Sequence, residues 1–104
     1  MPDVISALAS PRRREILRLI WNTERPAGDI AAAFDVTWPA ISQNLRVLKN
    51  AGLVRERRLG TQRLYRADRD ALRPLEPLLR RMWDENLSQL QLLAEAEEKA
   101  RSNR

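Results

Sequence analysis

The chain reads as a mainly α-helical protein with one small β-hairpin. Three observations carry that expectation. Apolar residues recur at three- and four-residue spacing through the first half and again through the last third of the chain. Between them "LVRERRLGTQRLYRA" alternates instead, and Pro, Gly and Asp fall at the joints.

In chain order, "VISALASPRRREILRLIWN" opens with a short apolar helix around Val4 to Ala9 and restarts at Ser10. Ser10 suits an N-cap and Pro11 the first helical position, where a missing N–H costs nothing. A second helix is expected from Pro11 to about Asn22, with Ile16, Leu17, Leu19 and Ile20 inward. Arg12, Arg13 and Arg14 near its start oppose the helix dipole, so they should be solvated or engaged with an outside anion. "RPAGDIAAAFDV" predicts a short third helix from about Pro26 to Phe34, with Ile30, Ala31 and Phe34 inward.

After a turn at "FDVT", Thr37 caps a fourth helix that has Trp38 and Pro39 in its first turn and stops at Gly52. Ile41, Leu45 and Leu48 form its apolar side, while Ser42, Gln43, Arg46, Lys49 and Asn50 recur one step round. Two helices joined by a short turn, the second with a polar stripe, make a helix-turn-helix. The alternating runs at about Val54 to Leu59 and Gln62 to Ala67, around Gly60 and Thr61, predict a hairpin with an Arg-rich tip. A helix-turn-helix followed by a basic hairpin is a winged helix.

The last third is expected to be one long helix, because Pro74 and Pro77 fall in its first turn and nothing breaks it afterwards. Leu75, Leu78, Leu79, Met82, Trp83, Leu87, Leu90 and Leu93 form a stripe too long for so small a domain to cover at about 1.5 Å per residue, so part of it needs a partner. Dimerisation is the economical answer. Met82 and Trp83 fit either that seam or a ligand pocket within it.

A length of 104 residues supports a single domain over residues 1–104, with a core but no separate catalytic domain. Cys and His are both absent, which removes disulfides, thiolate and imidazole metal ligands, catalytic thiols and the usual neutral-pH base. The carboxylate clusters, Asp84 with Glu85 and Glu95 with Glu97 and Glu98, do not converge on a point and read as solvated helix face. No enzyme is expected, and no cofactor or metal. No apolar run approaches the roughly 18–20 residues of a membrane span, and no leader pattern opens the chain, so the expected location is the cytosol, away from membrane.

The net charge is +5, and it is local. Residues 37–73 hold nine Lys or Arg against Glu56, Asp68 and Asp70, a net of +6, which leaves about −1 for the rest. Concentrated positive charge fits a polyanion, although scattered surface Arg would give a similar sum.

"ALASPRRREILRLI", "AGDIAAAFDVTWPAISQNLRVLKNAGLV" and "RRLGTQRLYRAD" together resemble the ArsR-type winged-helix transcriptional repressors, over roughly residues 5 to 70. The family pattern is an Ala-Leu-x-x-Pro-x-Arg opening, a Ser-x-x-Leu-x-x-Leu recognition helix, an Ala-Gly-Leu-Val helix end and a Gly-tipped, Tyr-Arg wing. The resemblance implies a homodimer paired through the first and last helices (residues 1–9 and 73–104), which puts Leu8 with Leu79, Met82, Trp83, Leu87 and Leu90 at the seam. It also implies binding of double-stranded DNA at a palindromic operator, and repression. Thr37 then falls on a phosphate-meeting cap, and Trp38, Pro39, Ser42, Gln43 and Arg46 on the reading face. Asn44 stands where many members have His, and Trp38 where Gln or Lys is common. Metal-responsive members carry Cys or His on the third helix and at the dimer seam; here that helix begins Arg25-Pro26-Ala27-Gly28-Asp29-Ile30, so the resemblance is to the branch without a metal site. The resemblance leaves a small-molecule effector open: some members of that branch respond to other signals, and others simply repress their own operon.

The plainer readings stand beside these. Ser42, Gln43 and Arg46 on an isolated helix would be a solvated face, but Gln and Arg suit bidentate contacts to base edges in the major groove. Trp38 fits core packing, or contact with a thymine methyl, sugar or phosphate. Arg57, Arg58 and Arg63 fit edge-strand charges that prevent aggregation, or minor-groove and phosphate contacts at a wing tip. The rival function is a winged helix that binds an acidic protein partner instead of DNA.

Overall fold

The computed structural model describes residues 4–84. The chain divides into two compact units, Met1–Pro74 and Leu75–Arg104. The first contains α1 (Val4–Leu8), α2 (Pro11–Leu19), β1 (Arg25–Pro26), α3 (Ala27–Phe34), α4 (Trp38–Asn50), β2 (Val54–Leu59), β3 (Gln62–Ala67) and α5 (Arg69–Leu72).

Caps decide most helix starts. The Ser10 hydroxyl accepts from the Arg13 N–H at 3.3 Å, with Pro11 in the first turn of α2. Thr37 Oγ1 accepts from the Ala40 N–H at 3.4 Å, with Pro39 in the first turn of α4. Each cap satisfies an N–H that the first helical turn leaves orphaned.

The turn between α3 and α4 passes through Asp35, a left-handed residue at φ 52°, ψ 46°, and Val36 N–H returns to Ala31 O. Asp tolerates that conformation better than most side chains do. Gly52, at φ 78°, ends α4 with the αL geometry expected of a helix-stopping glycine.

α2, α3 and α4 pack around Ile16, Leu17, Ile20, Ile30, Ile41, Leu45 and Leu48, all essentially sealed from solvent. The sheet order is β1-β3-β2, antiparallel throughout. Val54 pairs with Ala67 and both are buried at the wing root, while Leu59 pairs with Gln62 at the tip. Two backbone bonds stitch that root to the helices: Ala67 N–H to Ile20 O at 3.1 Å and Asp68 N–H to Leu53 O at 2.9 Å.

Four expectations need correction. α2 ends at Leu19 and not near Asn22, because the chain turns to bury Trp21 and to present Ile20 O to the wing. Arg25 and Pro26 form an edge strand against Tyr65 and Leu64, so α3 starts one residue later than expected. Leu19 and Phe34 are only half-buried. The C-terminal segment is not one helix from Pro74: Asp68 caps the short α5, and a 3₁₀ turn at Arg73–Leu75 accommodates Pro74 before helix resumes.

In the second unit the described part is α6, over 76–84. Leu79 and Trp83, one turn apart, are buried, Met82 is half-buried and Leu78 is exposed. Arg80 pairs with Glu76 at 2.9 Å. Leu87, Leu90 and Leu93 of the expected stripe lie outside the described residues. Among the described residues no helix is long and apolar enough to cross a membrane.

Candidate nucleic-acid interface

α4 is amphipathic in the way its spacing requires. Ile41, Leu45 and Leu48 anchor it inward, which leaves Gln43, Arg46, Lys49 and Asn50 exposed and Ser42 half-exposed on the other side. Trp38 is 56% exposed and not part of the core. A Cβ added to Gly28 would stand 3.5 Å from Trp38 Cζ3, so the ring rests against the start of α3 where no side chain intervenes. Pro39 is exposed beside it.

Three surface grooves meet at Ser42. One, of about 430 Å³, runs along Trp38, Pro39, Ser42, Gln43 and Arg46. A second, of about 280 Å³, separates α4 from the wing and is lined by Ser42, Arg46 and Lys49 on one wall and Glu56, Arg63 and Tyr65 on the other. The third, of about 500 Å³, opens between Trp38, the start of α3 and the wing residues Thr61, Gln62 and Arg63. The polar stripe of the helix and the basic hairpin therefore border one continuous concave surface.

The wing arginines divide by strand alternation. Glu56, Arg58, Arg63 and Tyr65 share one face, because Glu56 is opposite Tyr65 and Arg58 is opposite Arg63. Two like charges directly across a ladder repel. Arg63 reaches Glu56 only loosely, at 3.7 Å, and among the described residues Arg58 and Arg46 have no carboxylate within ion-pair distance. Such an arrangement favours an external anion.

Arg57 is on the opposite face. Its Nε and Nη2 each donate to a carboxylate oxygen of Glu24 at 2.7 Å. That fork holds the Glu24 carboxyl below the usual glutamate range, chiefly through the hydrogen bond, and Arg57 above the usual guanidinium value. Lys49 Nζ donates to Glu56 at 2.9 Å, which ties the end of α4 to β2. Asp68 is held below the usual aspartate range, first by the Ala71 N–H and then by Arg55 at 3.1 Å.

The arginines at the start of α2 are engaged inside the chain. Arg12 stacks over Phe34 at 5.4 Å, Arg13 donates to Ala7 O and Ser6 O, and Arg14 donates to Leu8 O. Asn44 Oδ1 accepts from Arg13 at 3.3 Å, which gives that position an intramolecular partner. Leu8, expected at a dimer seam, is buried in this chain, while Ile5 of the same helix is 77% exposed. Among the described residues no cluster of carboxylates could hold a metal ion. Lys49 was legible in the polar stripe; Glu24 was not, because its partner is distant in sequence.

Comparison with known proteins places these features. The model of the arsR family of bacterial regulatory proteins matches residues 10–56, from the cap of α2 into β2. The chain is 37% identical over 91 residues to the HTH-type transcriptional regulator Rv2034 of Mycobacterium tuberculosis H37Rv, covering 88% of this chain and 85% of that one. It is 40% identical over 60 residues to the transcriptional repressor SdpR of Bacillus subtilis 168, covering 58% of this chain and 67% of the repressor. Among solved structures, the homodimeric winged helix-turn-helix DNA-binding domain Mb0332 of Mycobacterium bovis superposes with a TM-score of 0.70 at 39% identity, covering 81% of this chain and 78% of that one.

Proposed function

The chain belongs to the arsR family of bacterial regulatory proteins, and from that premise we propose that it is a homodimeric, sequence-specific DNA-binding repressor that acts in the cytoplasm on a palindromic operator. The observation that carries the reading is the shared groove: Ser42, Arg46 and Lys49 of α4 face Arg63 and Tyr65 of the wing across one concave, basic surface. Resemblance to a homodimeric DNA-binding domain and to a named repressor supports both the assembly and the direction of control.

In this reading α4 enters the major groove with Trp38, Pro39, Ser42, Gln43 and Arg46 toward the base edges and Thr37 near a phosphate. Gln43 and Arg46 supply bidentate donors and acceptors, each worth about 1–3 kcal/mol of discrimination. Arg58 and Arg63 take flanking phosphate or the minor groove, and the anion relieves their mutual repulsion. Arg57, clasped by Glu24, braces the wing and contributes less. A palindromic site would present its half-sites about one helical turn apart, roughly 34–36 Å. With neither Cys nor His in the chain, transition-metal control lacks its usual ligands.

Binding to the duplex upstream of the protein's own gene, measured by fluorescence anisotropy across a salt series against a shuffled duplex of equal length, tests the proposal. Preference of about a thousandfold with two protomers per site is the expected result. Equal, weak binding to that duplex and to any duplex selected from a random library would overturn it.

A further inference from the structure

We propose that Arg13 is a positioning residue for the recognition helix: it locks α4 to α1, so that the dimer seam sets the distance between the two reading helices. This rests on the DNA-reading function proposed above.

One guanidinium reaches three helices. Arg13, in α2, donates from Nε to Ala7 O at 2.7 Å and from Nη2 to Ser6 O at 3.1 Å, both at the end of α1. From Nη1 it donates to Asn44 Oδ1 at 3.3 Å, in the middle of α4. The end of a five-residue helix leaves carbonyls short of partners, and a planar cation is well matched to take Ala7 O while sharing Ser6 O with the Ala9 N–H at 3.2 Å. Arg14 adds a second tie to α1 through Leu8 O at 2.8 Å.

Asn44 is itself held at both ends. Its Nδ2 donates to Ala40 O one turn earlier, at 3.0 Å, which turns Oδ1 toward Arg13. The residues immediately around it, Gln43 and Arg46, carry the proposed base contacts. Base readout tolerates errors of only about 0.5 Å, so whatever fixes the pitch of α4 also fixes whether those contacts form.

α1 carries Ile5, the most exposed large apolar side chain among the described residues. The C-terminal end of α1 is bonded through Arg13 to the reader, so pairing of the proposed homodimer through α1 would act on α4 through that bond. The path from α1 to α4 is therefore two side chains long, Arg13 and Asn44. A half-site displaced by one base pair moves along the duplex by about 3.4 Å and also turns around it. A locked pair of readers cannot follow that displacement, whereas a loosened pair can.

The test uses the full chain and duplexes selected from a random library by the wild-type protein, rebuilt with the half-sites one base pair closer, unchanged and one base pair further apart. Wild type should lose at least about tenfold at either altered spacing. Asn44→Ala removes the α4 end of the link and leaves the α1 bonds; Arg13→Lys keeps the charge and loses the fork. Both should weaken the best site only about threefold and cut the spacing penalty to under about threefold, and the double variant should add nothing further. A merely structural role would lower affinity at all three spacings by the same factor. Spacing profiles as sharp as wild type in dimeric, folded Asn44→Ala would overturn the proposal. Failure of wild type to select any duplex would instead remove the DNA-reading function on which it stands.

Discussion

Arg57 and Glu24, thirty-three positions apart in the sequence, meet through two parallel hydrogen bonds of 2.7 Å. The bond pattern is the bidentate fork that arginine also offers a phosphate. A wing arginine committed to an internal carboxylate is less available to DNA than its neighbours are.

Arg58→Ala and Arg63→Ala should each reduce the slope of log affinity against log salt by about 1, while Arg57→Ala should reduce it by less. Glu24→Gln should steepen the slope by freeing Arg57. Anisotropy titrations at four or more salt concentrations separate these outcomes, and an equal loss for all three arginines would contradict the division of the wing into two faces.

Gln43→Ala and Arg46→Ala should each lower discrimination between a selected duplex and its base-substituted variants by about 1–3 kcal/mol. Both side chains are exposed, so unfolding free energy should stay within roughly 0.5 kcal/mol of wild type. Competition binding combined with denaturant melts reads both quantities from the same preparations.

Leu48→Ala removes a side chain with no solvent exposure from the apolar side of α4. The expected loss is about 2–5 kcal/mol, seen as a lower denaturant midpoint, with DNA affinity recovered wherever the variant remains folded.

Asp68 and Glu24 both have carboxyl groups held below their usual values of 3.8 and 4.5. A depressed acid stabilises the fold fully above its unfolded value, and that contribution fades as pH falls toward the folded one. Resistance to denaturant should therefore weaken as pH drops through and below the carboxylate range. Asp68→Asn keeps an N-cap acceptor but removes the charge, so it should flatten this dependence; Asp68→Ala should in addition cost about 1 kcal/mol at neutral pH through loss of the α5 cap.

Gly60 sits at φ 62°, and an added Cβ would meet nothing within 4 Å. Gly60→Ala should therefore destabilise through backbone strain alone, by roughly 1–2 kcal/mol. The loss should appear as faster amide exchange across β2 and β3.

The local features were legible because they are local. Ser10 with Pro11, Thr37 with Pro39, and the alternation on either side of Gly60 each announce an element within a few residues, and the observed bounds of α4, β2 and β3 follow them. β1 was invisible because two residues, one of them proline, carry no periodicity; only the pairing with Tyr65 and Leu64 makes them a strand. The break at Arg73–Leu75 was missed because the Leu stripe runs through it, and spacing alone does not reveal where Pro74 forces a tighter turn. Long-range pairing decided the rest: Arg57 looked like Arg58 until Glu24 claimed it, and Arg13 looked solvated until α1 and Asn44 closed around it.

The pairing of β1 with β3 has a consequence in time. Arg25 and Pro26 lie before α4 and their partners Tyr65 and Leu64 lie after it, so α3 and α4 are enclosed in a loop that closes only when β3 is present. Synthesis proceeds from the N-terminus, and a domain settles only once its long-range contacts can form. A nascent chain therefore exposes a finished α4 sequence on the ribosome before the strand that completes its frame has emerged. Synthesis must therefore pass residue 65 before that frame can close, and a transcript truncated ahead of residue 64 should yield a product that has Gln43 and Arg46 but no rigid frame around α4.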